Sequence, residues 1–257
     1  MSTLKFRKIN QYIGIELEEY DDITVLDTPT INTIKQLVRT YSVVVIKGKR
    51  KWTGAEQMAL TDALGKLELP VVYSIPPAQV EERKSDAKVT KGSGVFWHSD
   101  NSYHERPSHI SVFQMVEIPK SGTVTSFASL INLSTNLPEK DRKLWRDYAV
   151  VYRDNVVHPL LWKHPFNGQN TIYFDIGFST DILNHCDGGN KLPMKESNQI
   201  FNYINNRLSD EASILKHQWE EGDIVILDNY AVAHRADILL ENEKRTLLRM
   251  TTEGIYF

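Results

Sequence analysis

His98 and Asp100 stand one residue apart in Phe96-Trp97-His98-Ser99-Asp100-Asn101, just after the glycine-bearing run Lys91-Gly92-Ser93-Gly94. In an extended or tightly turned backbone, residues i and i+2 project to the same side. One imidazole and one carboxylate could therefore grip the same ion. Nitrogen with carboxylate suits Fe(II), Mn(II) or Zn(II), and two His with one carboxylate on one face of an ion leave its other positions open. The best third ligand lies far downstream, at His234, just past the apolar run Ile224-Val225-Ile226-Leu227. A ligand at the end of a core strand is held by rigid structure, as a reactive metal needs. Beyond it come Arg245 and Arg249, four residues apart. Even spacing on a strand puts both guanidinium groups on one face, and each offers two parallel donors that match a carboxylate. The pair suits a dicarboxylate whose far end chelates the ion. Either arginine alone would be read as a surface partner of Glu241 or Glu243.

These residues must be carried by a scaffold, and the chain supplies one. Its 257 residues, 41% hydrophobic and 25% charged, have ordinary globular composition and are enough for one large domain, residues 1–257. The formal net charge of -3 gives no nucleic-acid footprint and no attraction to an anionic membrane. No run approaches transmembrane length, and the N-terminus has no apolar signal core. The single cysteine, Cys186, excludes an intrachain disulfide and fits a reducing, cytoplasmic compartment.

Apolar spacing predicts a helix over 30–39 capped by Thr30, a strand over 42–46, and a helix over 56–67 with Met58, Leu60, Ala63, Leu64 and Leu67 inward. Further helices are expected over 138–148 and 196–208, and strands over 109–116, 123–128, 150–157, 171–174, 224–227, 247–252 and 255–257. Periodicity fails between Pro70 and Gly94, which marks a lid loop at about 73–95 beside the metal motif. Early helices followed by many short strands indicate a mainly β fold with flanking helices. His158 and His164 lie beside prolines and read as turn residues, while His104 and His109 lack the geometry of metal ligands.

Four blocks together resemble the taurine dioxygenase (TauD/TfdA) family of Fe(II)- and 2-oxoglutarate-dependent oxygenases. They are Trp97-His98-Ser99-Asp100, Gly122-Thr123-Val124-Thr125, His158 through Pro165 with Gly168 and Tyr173, and Gly222-Asp223 through Arg249. The resemblance covers about residues 95–254 and implies a double-stranded β-helix, the jelly roll or cupin-like fold, with a metal at its open end. It implies that His98, Asp100 and His234 hold Fe(II). It places Thr125 and Arg245 on the tail of 2-oxoglutarate and Arg249 near the chelating end of that cosubstrate, with O2 as the oxidant. Asn101, Tyr103 and His104, beside the metal motif, are candidates for the substrate side. The aspartate ligand argues against the halogenase branch, which lacks it. Asp228-Asn229-Tyr230 departs from the family's Asp-Asn-Arg, and residues 73–94 do not reproduce the taurine enzyme's substrate contacts, which argues against a sulfonate. The tail, with Trp219 before Gly222-Asp223, is similar to small members that tailor natural products.

The expected reaction is hydroxylation or desaturation of a C–H bond in a small molecule, amino-acid-derived or a natural-product intermediate, with release of succinate and CO2. Partners are then a small-molecule substrate, with no nucleic acid and no membrane; a homo-oligomer is compatible with everything above. Two rivals use the same residues. A metal-dependent hydrolase would need a general base and would leave Arg245 and Arg249 without work. A noncatalytic jelly-roll binding protein would have no need of all three ligands.

Overall fold

A computed structural model describes residues 4–18, 26–48, 50–68, 93–237 and 243–256. The expected lid at about 73–95 therefore lies outside the described residues except for Ser93–Val95, one 3-10 turn. A six-stranded sheet orders β1 (Phe6–Lys8), β2 (Ile15–Leu17), β3 (Val43–Ile46), β13 (Ile224–Asp228), β4 (Ile110–Glu117) and β15 (Thr246–Thr251). A three-stranded sheet orders β12 (Leu215–Gln218), β5 (Val124–Ser129) and β14 (Val232–Ala236). A third sheet orders β11 (Asn190–Lys191), β10 (Ser179–Asn184), β6 (Tyr148–Tyr152) and β7 (Val157–Pro159), and β8 (Leu161–Lys163) pairs with β9 (Asn170–Ile172). The parallel pair is β2 with β3; the other strand pairs are antiparallel.

Strand alternation explains how the large sheet is covered on both faces. Val44, Ile46, Val112, Ile224 and Ile226 pack into a cluster with Ile34 and Val38 of α1 (Thr28–Tyr41) and Leu60 and Leu64 of α2 (Gly54–Leu64). Their neighbours Val43, Val45, Phe113, Val225 and Leu227 point the other way, into a core shared with Phe127, Leu215 and Val232 of the three-stranded sheet. β13 lies between β3 and β4 with all five residues buried, so its continuous apolar run belongs to a strand covered on both sides.

Three helices begin earlier than apolar spacing alone indicated, at Thr28, Gly54 and Met194, while the one expected over 138–148 spans Glu139–Trp145. α1 is capped by Asp27, whose carboxylate accepts the Thr30 N–H, so Thr30 is the receiver and not the cap. Ser42, left-handed at φ 64°, then turns the chain straight into β3. α2 opens on a Thr53–Glu56 capping box, and its inward face is Gln57, Leu60, Thr61 and Leu64. Gln57 donates to the carbonyls of Val112 and Leu248 and accepts from Gln114, so a buried amide pair stands where Met58 was expected, while Ala63 packs against the cluster as expected. The remaining helices are α3 (Leu130–Thr135), α4 (Glu139–Trp145) and α5 (Met194–Leu208).

Two strand expectations are corrected. The single strand over 150–157 is two, because Asp154 and Asn155, at φ 64° and 60°, turn the chain between β6 and β7. Asp and Asn tolerate that left-handed backbone better than other residues with side chains. Glu253–Tyr256 form no strand; the Ile255 N–H is taken by the Tyr230 hydroxyl instead. Among the described residues no helix is long and apolar enough to cross a membrane.

Leu60→Ala, at a fully buried position remote from the metal motif, is expected to cost about 2–5 kcal/mol, read by urea unfolding. A second expectation concerns pH. His158 in β7 is buried and donates its Nε2–H to the His104 carbonyl at 2.9 Å. Burial pushes its pKa down from 6.5 to about 4. The unfolded chain therefore takes up a proton at a higher pH than the folded one, and stability should fall as pH drops through the interval from 6.5 to about 4. His158→Gln should flatten that part of the slope in urea titrations spanning the same interval.

Candidate active site

His98 lies opposite His234 of β14 in an isolated antiparallel bridge. The His98 N–H donates to the His234 carbonyl at 3.1 Å and the His234 N–H returns to the His98 carbonyl at 2.8 Å. Side chains directly opposite in such a pair leave the same face, and the two imidazole centroids are 4.2 Å apart. Asp100 completes the set: one ligand-type atom from each of His98, Asp100 and His234 falls within 4.8 Å of the others, and all three residues are buried. The structure thus brings together three residues widely separated in sequence.

Each side chain is aimed by a neighbour. His98 Nδ1 sits 2.8 Å from the Phe96 carbonyl, which fixes the proton there and leaves Nε2 free as a ligand. His234 Nε2 faces Asp100 Oδ1 at 3.9 Å. The ring packs near Phe113 and Phe127, and burial pushes its pKa down to about 3, which keeps the imidazole neutral as a metal requires. Asp100 Oδ2 accepts from the Ser111 hydroxyl at 2.6 Å, and the Asp100 N–H donates to Asn229 Oδ1 at 3.2 Å. Asn229 in turn donates to Ser111 at 2.7 Å, which closes a ring of support from β4 and the end of β13. Burial opposes the Asp100 charge, but Arg249, His234 and His98 outweigh it and hold the carboxyl well below its ordinary range. Arg249, on β15, bonds directly to Asp100 Oδ1. Two nitrogens and one carboxylate oxygen, pre-aimed and dry, fit a divalent metal with positions left open.

Thr125 and Arg245 fit an anion. Trp219 donates its indole N–H to Thr125 Oγ1 at 2.8 Å, so the Thr125 proton is left to donate elsewhere. Arg245 gives one N–H to Thr123 at 3.2 Å, and burial lowers its pKa against the opposing pull of Asp237. A guanidinium so placed wants an acidic partner. Glu243 is not that partner, since its carboxylate is taken by Ser121; Glu241 lies outside the described residues. Arg245 sits just ahead of β15, and a register shift at Thr246/Leu247 separates it from Arg249.

The three substrate-side candidates fare differently. Asn101, left-handed at φ 56°, gives its amide to Glu68 and Ser108. His104 faces Glu68 at 3.8 Å, and these hydrogen bonds overcome burial to hold Glu68 down to about 2. Both are thus tied to one carboxylate. Tyr103 instead packs against Phe178 and Arg153. Of the nearby aromatic residues, Phe127 is beside His234, whereas Trp97 belongs to the core cluster under the third sheet, Trp162 packs against it and Phe96 is exposed.

Reading by residue type overlooked Ser111, Asn229, Thr123 and the cluster of His109, His164 and Asp228. That cluster is a second set of ligand-type atoms within 4.8 Å, but its protons argue for hydrogen bonding. His164 Nδ1 accepts the N–H groups of Phe166 and Asn167 at 3.2 and 3.3 Å, so its proton is on Nε2, aimed at Asp228 Oδ2 3.0 Å away. His109 stacks on Phe166 and Tyr230, while Asp228 Oδ1 takes the Tyr230 N–H. His164 therefore anchors a turn, as its neighbouring proline indicated, and His158 does not, being a strand residue. A serine within an apolar strand, and a polar pair closing one, were the available signals for Ser111 and Asn229.

Asn229→Ala removes the support of the Asp100 backbone and of Ser111. It is expected to weaken binding of a divalent metal such as Mn(II) roughly 10–100-fold, read by titration calorimetry, with little loss of fold content by circular dichroism.

The family model "Taurine catabolism dioxygenase TauD, TfdA family" matches residues 5–251. The 3-((Z)-2-isocyanoethenyl)-1H-indole synthase of Fischerella ambigua is 23% identical over 254 residues, which is 92% of this chain and 91% of that protein. The alpha-ketoglutarate-dependent sulfonate dioxygenase of Saccharomyces cerevisiae is 26% identical over 270 residues, 91% of this chain and 63% of the yeast protein. Among solved structures, a taurine dioxygenase from Burkholderia xenovorans superposes with a TM-score of 0.83 at 23% identity, over 98% of this chain and 91% of that one. AAD-2 in complex with Mn(II) and N-oxalylglycine superposes with the same score of 0.83 at 17% identity, over 98% of both chains. These structures share the mainly β fold with flanking helices. A match over nearly the whole chain, with the two histidines and the aspartate gathered in one buried place, settles the kinship: the chain belongs to the taurine catabolism dioxygenase TauD, TfdA family.

Proposed function

We propose that the chain oxidises an unactivated C–H bond of a small organic molecule, by hydroxylation or desaturation, on a single double-stranded β-helix unit. As a family member it is an Fe(II)- and 2-oxoglutarate-dependent dioxygenase. One observation carries the assignment of its centre: His98 and His234 are locked opposite each other by two backbone hydrogen bonds, with Asp100 within reach of both.

Fe(II), held by His98, Asp100 and His234, supplies the activation of O2 that couples decarboxylation of 2-oxoglutarate to oxidation of the prime substrate. The balance is R–H, O2 and 2-oxoglutarate giving R–OH, succinate and CO2; desaturation gives the alkene and water instead of the alcohol. The chain's own residues do the rest. Arg245 would pair with the distal carboxylate of 2-oxoglutarate, and Thr125, its oxygen already occupied by Trp219, would donate its proton to the same group. Arg249, bonded to Asp100, would serve the chelating end of the cosubstrate or the prime substrate. Phe113 and Phe127 keep water from the His234 side.

Membership does not choose the prime substrate, since the two relatives above act on unlike molecules by name. A natural-product or amino-acid-derived intermediate is the reading that fits the departures from the taurine enzyme. A cytoplasmic place and a homo-oligomer remain part of the same proposal.

Incubation with Fe(II), 2-oxoglutarate and O2 should release succinate, and His98→Ala should abolish it. Arg245→Gln should raise the KM for 2-oxoglutarate at least about tenfold, the scale of truncating one partner of a buried charged pair. Turnover that needs zinc and no oxygen would overturn the proposal in favour of a hydrolase.

A further inference from the structure

β6 ends at Tyr152, and the chain turns through Arg153 before β7. The Arg153 N–H donates to the Phe178 carbonyl at 3.0 Å, which ties this turn to the segment that follows Asp175. The guanidinium carbon lies 3.6 Å from the centre of the Tyr103 ring and 4.3 Å from that of Phe178, and those two rings are 4.9 Å apart. Arg153 is thus seated on two aromatic faces at once, an arrangement that fixes the plane of the guanidinium.

What it lacks, among the described residues, is a close anion. Its Nε is buried and has no hydrogen-bond partner. The carboxylate beside it, on Asp154, is 3.9 Å away on a side chain that is 79% exposed, a geometry that offsets little of the charge. The Arg153 side chain as a whole is 40% exposed, although its Nε is buried. An arginine held rigid on aromatic faces with its fork unused is prepared for an external acceptor.

Its position gives that acceptor a meaning. The ring it sits on, Tyr103, follows the metal motif directly. The opposing segment is bound to the same stretch, because the Ile176 N–H donates to the Trp97 carbonyl at 2.8 Å and the Ser102 hydroxyl donates to Asp175 at 2.7 Å. Tyr103 also lies within electrostatic reach of Arg249. The residues suited to 2-oxoglutarate, Thr125 and Arg245, belong to a different part of the centre, around Thr123 and Trp219. Asn101 and His104 are engaged by Glu68. Among the described polar groups around Tyr103, Arg153 is the one held in place without a close anion.

We infer that Arg153, seated on Tyr103 and Phe178, selects a prime substrate bearing a carboxylate remote from the C–H bond to be oxidised. The two oxygens of a carboxylate match the guanidinium fork, and the aromatic pair beneath it favours a substrate with a flat apolar body next to that carboxylate. This inference deepens the dioxygenase proposal and rests on it.

The test uses the full chain loaded with Mn(II) and N-oxalylglycine, which take the places of Fe(II) and 2-oxoglutarate without turnover. Phenylacetate, 3-phenylpropionate and indole-3-propionate, each beside its methyl ester, are titrated by calorimetry into the wild type, Arg153→Gln and Arg153→Lys. At least one acid should bind the wild type about tenfold or more tighter than its ester. Arg153→Gln should erase that preference while leaving the ester's affinity within about twofold, which also shows the variant to be folded, and Arg153→Lys should recover part of it. A wild type indifferent to the carboxylate, or an Arg153→Gln protein that keeps the preference, overturns the inference. Failure of N-oxalylglycine to bind the Mn(II)-loaded chain overturns the dioxygenase proposal itself, and is seen before any acid is added.

Discussion

Two hydrogen bonds between the backbones of His98 and His234 decide where everything else at the centre must go. An antiparallel pair leaves no choice of face: residues opposite one another project together. The bridge therefore converts a separation of more than a hundred residues into two imidazoles 4.2 Å apart between centroids. It is also an isolated bridge, so it relies on β14 being fixed on its other edge. β5 supplies that edge, through a full register from Val232 against Ser129 to Ala236 against Thr125. Phe127, opposite His234 in that register, presses on the same ring it positions. The strand paired with the one that bears His234 thus carries Thr125, and the metal and cosubstrate parts of the proposed centre share one mechanical support.

Asp100 is the costly member of the group. A carboxylate removed from water needs compensation, and the chain gives it three kinds. Ser111 and Asn229 supply a hydroxyl and an oriented backbone, while Arg249 supplies full charge on the oxygen that also faces His234. A guanidinium and a divalent ion would therefore serve the same oxygen. That shared electrostatic duty explains why an arginine belongs so close to a cationic site: it lets the buried carboxylate stay ionised before the metal arrives.

Residue types and spacing singled out His98, Asp100, His234, Arg245 and Arg249, and the family resemblance added Thr125; the structure gathers the first three in one buried place. The strands of the large sheet were legible too, since Val43–Ile46 and Ile224–Leu227 are apolar on both faces. What escaped notice was polar and buried. Gln57 and Gln114 look like surface residues until one is seen to donate to the other, and Ser111 was signalled only by its place within an apolar strand. Helix starts moved because a cap such as Asp27 lies outside the periodic pattern it stabilises. The break at Asp154 and Asn155 was missed because β-type residues flank it on both sides.

The two ends of the proposed reaction are supported by different parts of the fold. The cosubstrate side draws on strand β5 and its immediate neighbours, with Trp219 and Thr123 locking Thr125 and Arg245. The side around Tyr103 draws on turns: the one after Asp100, the one after Tyr152, and the segment from Asp175 to Phe178. Turns accept substitution and re-aiming more readily than paired strands do. A fold arranged this way can keep one oxidative chemistry while its substrates diverge, which accords with relatives whose names differ as much as their identities of 23% and 26% suggest. Arg153 is a product of that freedom. It stands at a turn made by two left-handed residues, where a change of one side chain alters what is recognised and leaves the strands that hold the centre untouched.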